Sequence, residues 1–284
     1  MSIQIIIDSA SDISKEKIEE WGVRVLPLKT RFGDQEYLDG VTITHEEFFE
    51  KLIETDILPQ TSQVSPYDYE QAFKKVKAAG DVALCLTLSS KLSGSYQSAM
   101  IAAEDYEDCV QIVDSENVCL GELILVELAV RLREEGKSLD EMVEILNTRK
   151  KDIRLVALLD TLEYLKKGGR ISSTTAFVGT VLSIKPVIAI EDGEVKILGK
   201  ARGSKNGHNI LTEQVEKSGG INFEMPFSLA YSGLSDHMLR KYIKDHEKLY
   251  IEHCTAEELP ICTIGSTIGT HVGPGAVAVA FFKK

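Results

Sequence analysis

The sequence predicts an α/β fold in two domains, the first built on a mainly parallel sheet and the second of the α+β class. Short apolar strands alternate with amphipathic helices through the first half, which is typical of βαβ units. From about residue 156, a hairpin and further strands with intervening helices follow. A chain of 284 residues is also long for one domain. We therefore predict domains at 1–155 and 156–284, packed closely because no low-complexity linker separates them.

Composition excludes several classes of function. A net charge of −12 and a pI near 5.1 argue against nucleic acid and anionic membrane surfaces as partners. No stretch approaches the roughly 18 apolar residues of a membrane span, so we expect no integral membrane segment. The start MSIQIIIDS indicates a strand rather than a signal peptide. Five cysteines without a CxxC spacing predict reduced thiols, a cytoplasmic location and no metal site.

The first elements follow from local patterns. We predict a strand at 3–7 and a helix at 14–21, with a small antiparallel ribbon at about 23–43. A capping box formed by Thr44 and Glu47 begins a helix that runs to about residue 55.

Hydroxyl residues then occur in two conspicuous turns. Residues 58–66 contain Thr61 and Ser62 between two prolines, which favours a rigid loop before the next helix. Residues 81–102 contain an apolar strand, a turn with Ser93, Gly94 and Ser95, and a helix pattern. Unpaired N–H groups at such a helix start favour an anion, although ordinary capping by Ser93 or Ser95 explains the same residues.

Two other strands end in Asp-Ser, at positions 8–9 and 114–115. In a parallel sheet, ligands bind at the carboxyl ends of the strands, where these pairs and residues 89–95 are expected.

In the second half, Arg170 follows a helix that ends at two glycines, and Asp192-Gly193 indicates a type I′ hairpin turn. His271 lies in a glycine-rich segment at 263–275 that we interpret as a loop. The remaining predictions are strands at 154–159, 186–190, 195–198, 227–231, 248–252 and 276–282, and helices at 161–167, 173–182, 204–217 and 236–247.

Familiar catalytic and nucleotide-binding motifs are missing. The sequence has no GxxxxGK[ST] loop and no GxSxG elbow, and its GxGxxA match at 273–278 precedes a strand instead of a helix. The hydroxyls of Thr61, Ser62, Ser93 and Ser95, with Arg170 and His271, form the donor set that a buried carboxylate or phosphate requires. Taken singly, Arg170 could be a surface cation and His271 a structural loop residue.

Six blocks in order resemble the DegV family, which includes the fatty-acid-binding subunit of bacterial fatty acid kinase. The blocks are DSASD at 8–12, TSQVSP at 61–66, LSGSYQSA at 92–99, KGGRI at 167–171, IKP at 184–186 and GTHVGPG at 269–275. The resemblance spans essentially the whole chain.

The resemblance implies an N-terminal three-layer α/β domain and a C-terminal α+β domain, with a long-chain fatty acid in an apolar tunnel between them. It implies that this chain is not itself an enzyme, needs no cofactor, and presents the ligand's carboxylate to an ATP-dependent kinase that makes the acyl phosphate. The carboxylate-binding residues would be Thr61 and Ser93, with Arg170 and His271 at the head group, and Arg202 would contact the kinase. Secondary candidates are Ser62, Gly94, Ser95 and Thr270. Ser95 stands where other members often have Thr.

Two other functions stay open. Ser93 could be the nucleophile of a serine hydrolase with His271 as its base. Alternatively, the protein could be a lipid-responsive adaptor that signals through the surface around Arg202.

Overall fold

The computed structural model describes residues 2–171 and 184–284 and contains three sheets in this part of the chain. The helix predicted at 173–182 lies outside the described residues. The first sheet has the order β2-β1-β6-β7, and all its neighbours are parallel. Its strands are β1 (Ile3–Asp8), β2 (Val23–Leu26), β6 (Val82–Thr87) and β7 (Val110–Asp114).

The second sheet has the order β10-β9-β8-β13-β11-β12, and every pair except β11–β12 is antiparallel. Asp192 and Gly193 both have positive φ, which confirms the type I′ turn between β9 and β10. The two kinds of sheet confirm the predicted α/β plus α+β class. The strands are β8 (Ile153–Leu158), β9 (Ile184–Glu191), β10 (Glu194–Arg202), β11 (Phe227–Tyr231), β12 (Ile261–Thr263) and β13 (Val277–Phe282). The division of the chain at residue 155 stays a prediction.

Ten helices accompany these sheets in the described ranges. They are α1 (Lys15–Trp21), α2 (His45–Glu54), α3 (Pro66–Ala78), α4 (Ser95–Ala103), α5 (Leu120–Glu134), α6 (Leu139–Arg149), α7 (Glu163–Lys167), α8 (Ser204–Lys217), α9 (His237–Asp245) and α10 (Ser266–Val272). Helix α5 is apolar on most sides because it contacts β1 of the first sheet and β8, β11 and β13 of the second. It thereby joins the two halves in one core. None of the helices in the described ranges is long and apolar enough to cross a membrane.

The third sheet corrects the predicted ribbon. It has the order β4-β3-β5, formed by β3 (Lys29–Phe32), β4 (Gln35–Leu38) and β5 (Gln60–Ser62). Residues 23–26 belong instead to the first sheet, because Pro27 has no N–H to continue a ladder and the chain changes sheets there. The segment at 58–66, predicted as a loop, supplies β5 through pairing with β3.

Two further predictions are wrong in the second half. Residues 248–252 form no strand, because Glu247–Leu249 is a 3-10 turn that brings the Tyr250 hydroxyl within 3.2 Å of that of Tyr242. An apolar run this short has too little periodicity to distinguish a strand from a turn. The glycine-rich segment at 263–275 is not simply a loop, since it contains α10.

Candidate functional site

A cavity lies between the carboxyl ends of the first sheet's strands and one face of the second sheet. The space between its atoms, including space open to solvent, is about 800 Å³. The turns of the first half contribute Leu28, Leu88, Leu92, Val118 and Cys119. The second sheet and its flanking residues contribute Leu155, Ala157, Leu159, Ile188, Ile190, Val195, Ala276 and Ala278. These described lining residues are almost entirely hydrocarbon, which suits an apolar ligand.

Strand alternation explains why this space is open. On β13 and the residue before it, Ala276 and Ala278 face the cavity, while Val277 and Val279 pack into a second core with α8 and α9. The same alternation on β8 turns Ala157 to the cavity and Leu158 to the second core. Small side chains on one face of the sheet therefore leave the volume that larger ones would fill.

Polar side chains gather at one end of this cavity, which we call the mouth and define by Thr61, Ser93, Arg170 and His271. Thr61 Oγ1 and His271 Nε2 are hydrogen-bonded at 2.9 Å. Arg170 donates from Nε to the carbonyl of Leu92 at 3.1 Å and from Nη1 to that of Gly168 at 2.7 Å. The four residues predicted from the sequence as a head-group site thus line one cavity.

The N-terminus of α4 lies beside the mouth. Gly94 is the N-cap of this helix, so neither predicted serine occupies the capping position. Ser93 Oγ accepts a hydrogen bond from the backbone N–H of Ser95 at 3.2 Å and lies 3.1 Å from the Ser95 hydroxyl. The interaction therefore orients Ser93 toward the helix start, where N–H groups favour negative charge.

His271 is neutral in this environment. Burial, with a smaller effect of the nearby Arg170 charge, lowers the pKa of His271 to about 3. Its Nδ1 has no hydrogen-bond partner within the described residues. Gly168 permits the close approach of the ring, since a Cβ at that position would lie 2.3 Å from Nδ1.

A second pocket lies on the outer side of the mouth and is lined by Leu58, Pro59, Gln60, Tyr164, Lys167, Gly168 and Thr270. Thr61, Arg170 and His271 line this outer pocket as well as the inner cavity. These three side chains therefore form the boundary between the apolar cavity and the outside.

Helix α10 holds His271 at this boundary and is itself held by contacts at its start and in its middle. At its start, Ser266 donates from its backbone N–H and its hydroxyl to the Asp39 carboxylate at 2.9 and 2.7 Å. In its middle, a Cβ at Gly269 would lie 2.6 Å from the ring of Phe48, so only glycine allows α2 to pack this closely. Helix α10 is thus fixed by tertiary contacts with the third sheet and α2.

The secondary candidates occupy different places. Ser62 is exposed and lines the cavity, whereas buried Ser95 contacts Ser93 from behind. Gly94 packs against Gln63, whose side chain would be 2.0 Å from a Cβ there. Thr270 lines the outer pocket and donates its hydroxyl to the carbonyl of Ser266. Arg202 is exposed at the end of β10.

The geometry does not support a Ser-His catalytic pair. Ser93 bonds to Ser95 and His271 bonds to Thr61, so no hydrogen bond joins the proposed nucleophile to the proposed base. A depressed pKa also makes His271 a weak base. Groups of acidic, histidine and cysteine side chains suited to a metal ion are absent from the described part of the chain.

Sequence reasoning missed Gly168, Gln63 and Thr267. Gln63 and Thr267 line the cavity, and Gln63 donates to the Ser98 hydroxyl at 2.7 Å. The sequence predicts for Gly168 only a place in a helix C-cap. The spacing of Thr267 four residues before His271 places both on one face of a helix, but this signal is visible only once α10 is known to be helical.

Known proteins resemble this chain in sequence and fold over nearly its whole length. A DegV domain-containing protein of Caldanaerobacter subterraneus subsp. tengcongensis is 34% identical over 99% of each chain. A fatty-acid-binding DegV family protein of Thermus thermophilus has a solved structure that is 33% identical, with a TM-score of 0.88 over 99% of this chain and 100% of that one. A stearic-acid-binding protein of Eubacterium ventriosum is 28% identical, with a TM-score of 0.86 over 99% of this chain and 97% of that one. The family model described as "Uncharacterised protein, DegV family" matches residues 2–284, and the chain belongs to this family.

Proposed function

We propose that this protein binds a long-chain fatty acid in the cavity and presents its carboxylate at the mouth to a separate ATP-dependent kinase, which forms the acyl phosphate. One observation carries the proposal: the described lining of the cavity is mostly hydrocarbon, and its main polar cluster borders the outer pocket. A molecule that satisfies both parts has an apolar tail and one anionic end.

The tail supplies most of the binding free energy. Each buried methylene contributes about 0.8 kcal/mol, so a C16 chain yields on the order of 10 kcal/mol before the entropy of association is subtracted.

The carboxylate requires compensation for the water it loses. Arg170 supplies positive charge, and its bonds to two carbonyls hold the guanidinium beside the mouth. Thr61 and Ser93 supply hydroxyl donors, and hydrogen bonds to a charged group contribute about 1.5–3 kcal/mol each. The head group thus determines the orientation of the bound fatty acid, while the tail supplies most of its affinity.

The solved relatives support the choice of ligand. The DegV family protein of Thermus thermophilus binds a fatty acid and the Eubacterium ventriosum protein binds stearic acid, and both share the fold over nearly the whole chain.

Transfer of a phosphoryl group needs a partner, because the sequence has no GxxxxGK[ST] loop to hold a nucleotide. The boundary position of Thr61, Arg170 and His271 would let a kinase in the outer pocket reach the carboxylate. The acyl phosphate would then enter phospholipid synthesis in the cytoplasm. Exposed Arg202 is the residue that we assign to kinase contact.

Mass spectrometry of the native protein and calorimetric titration with C14–C18 acids test the ligand. We expect a mass increment equal to one fatty acid and saturable binding of palmitate. Protein without lipid that also fails to bind any of these acids would refute the proposal. A serine-reactive phosphonate should not label Ser93, whereas labelling would favour the hydrolase alternative.

Partner contact is tested separately with Arg202→Ala. This variant should bind palmitate normally but slow acyl-phosphate formation by an added fatty acid kinase. Lys205→Ala, an exposed cation nearby, is the matched control. Equal rates for the two variants would show that Arg202 does not contact the kinase. If the wild type yields no acyl phosphate, the kinase step of the proposal is wrong.

A further inference from the structure

Thr267 places a hydroxyl group in the wall of the cavity without any partner. Its residue is 3% exposed, and its Oγ1 is buried with no hydrogen-bond partner within the described residues. Among the described lining residues, it is the one hydroxyl outside the cluster of Thr61, Ser62 and Ser93. A buried hydroxyl left unpaired destabilises a protein by about 1–3 kcal/mol, so a specific reason for its presence is required.

Water is a poor partner for this hydroxyl. A buried water molecule typically needs 2–4 polar contacts. Ile264, Ile268 and Val272, the apolar residues near Thr267 that also line the cavity, offer only hydrocarbon side chains. The polar neighbour on α10 is His271, but its Nε2 is bonded to Thr61 and its Nδ1 lies against Gly168. We therefore look to the ligand for the partner of the Thr267 hydroxyl.

The position of Thr267 defines which part of the ligand it meets. Thr267 and His271 are four residues apart on α10, so their Cβ atoms lie roughly 5–6 Å apart on one helix face. His271 is at the mouth and also borders the outer pocket, whereas Thr267 lines only the inner cavity. A chain whose carboxylate is at the mouth therefore passes Thr267 with its carboxyl-proximal half.

We propose that the cavity accepts a fatty acid that carries a hydroxyl group in its carboxyl-proximal half, and that Thr267 is the residue that recognises this group. The inference rests on the proposed function and specifies its ligand further. A hydroxyl on the chain would both donate to and accept from Thr267, which an unsubstituted chain cannot do.

The test compares palmitate with a series of hydroxypalmitates, substituted singly from carbon 2 to carbon 8, in calorimetric titrations. The measured quantity is the ratio of the Kd for each hydroxypalmitate to the Kd for palmitate. In Thr267→Val, which keeps the shape and removes the hydroxyl, this ratio should rise about fivefold to tenfold for the best-placed isomer. Palmitate itself should bind Thr267→Val at least as well as the wild type. 16-Hydroxypalmitate, substituted at the far end, should show no such change.

Two further variants complete the experiment. Thr267→Ser keeps the hydroxyl and should retain the wild-type ratio. Thr212→Val removes a hydroxyl that does not line the cavity and should retain this ratio as well. Circular dichroism and a cooperative urea transition verify that each variant is folded, independently of palmitate binding.

A ratio that is unchanged in Thr267→Val for every isomer would overturn the inference while leaving fatty acid binding intact. Weaker palmitate binding by folded Thr267→Val would indicate that Thr267 binds the carboxylate. This result would also overturn the inference. Failure of the wild type to bind palmitate would overturn both this inference and the proposed function.

Discussion

Thr61 Oγ1 lies 2.9 Å from His271 Nε2, and this hydrogen bond joins β5 to α10 across 210 positions of the chain. Both side chains border the inner cavity and the outer pocket. The contact therefore places two polar groups at the mouth, and both can exchange their mutual hydrogen bond for one to a bound carboxylate.

Removing a hydroxyl from the mouth should weaken fatty acid binding. Thr61→Val and Ser93→Ala each delete one donor to a charged group, which corresponds to about 1.5–3 kcal/mol, or roughly tenfold to a hundredfold in Kd. Calorimetric titration with palmitate measures the loss. Ser90→Ala alters an exposed serine of the same turn and should bind normally. Unchanged Kd values for both mouth variants would exclude them as carboxylate ligands.

Acid should destabilise the ligand-free protein through His271. The pKa of His271 is about 3 when folded, whereas an unfolded histidine has a pKa near 6.5. Between these values the unfolded chain binds more protons, so stability is lost as pH falls from 6.5 toward 3. At pH 4.5 the loss from this residue is on the order of 2 kcal/mol.

Urea denaturation at pH 7 and pH 4.5 checks this effect. His271→Gln removes the titrating group and should lose less stability between the two pH values than the wild type does. The difference between the two proteins excludes the contributions of other buried titrating groups, which both proteins share. One of these is Asp8, since its burial raises its pKa to about 7. Equal losses in the two proteins would show that His271 does not titrate as described.

A methyl group at Gly168 should disturb the mouth without straining the backbone. Gly168 has a φ of −75°, which alanine adopts readily, but its Cβ would lie 2.3 Å from Nδ1 of His271. We expect Gly168→Ala to displace the imidazole, weaken palmitate binding about tenfold or more and cost about 1–3 kcal/mol of stability.

Gly199→Ala is the control, because its Cβ would meet only Ile210 at an ordinary contact distance of 3.9 Å. Titration and urea denaturation of both variants provide the comparison. Similar behaviour of the two would mean that His271 can move at no cost.

The sequence was sufficient to predict how the first sheet positions the site. Because parallel strands end at one edge, the turns after Asp8, Thr87 and Asp114 had to lie together, and they do. The ordered blocks that resemble the DegV family placed Thr61, Ser93, Arg170 and His271 in one group, and these four line one cavity.

Helix α10 could not be predicted in the same way. Glycine, threonine and valine have low helix propensity, and the helix is stabilised instead by Asp39 at its start and by Phe48 beside Gly269. These partners are more than 200 positions away, so no local pattern reveals them. The cavity could not be predicted for a related reason. The alternating alanines of β13 are visible in the sequence, but the face of the sheet that they occupy depends on how the strands pair.

Filling the cavity with a larger side chain should separate an open tunnel from a packed core. Ala278 lines the cavity, so Ala278→Leu places its extra atoms in empty space and should leave the stability of the ligand-free protein unchanged or increased. Ala280 lies on the same face of β13 but outside the described lining of the cavity, so Ala280→Leu should cost about 1–3 kcal/mol. Urea denaturation measures both effects.

The same substitution should change the preference for chain length. Compared with the wild type, Ala278→Leu should lose more affinity for palmitate than for octanoate, because the leucine shortens the space for the tail. Strong destabilisation by Ala278→Leu, equal to that of Ala280→Leu, would mean that this part of the protein is solid and could not hold an acyl chain.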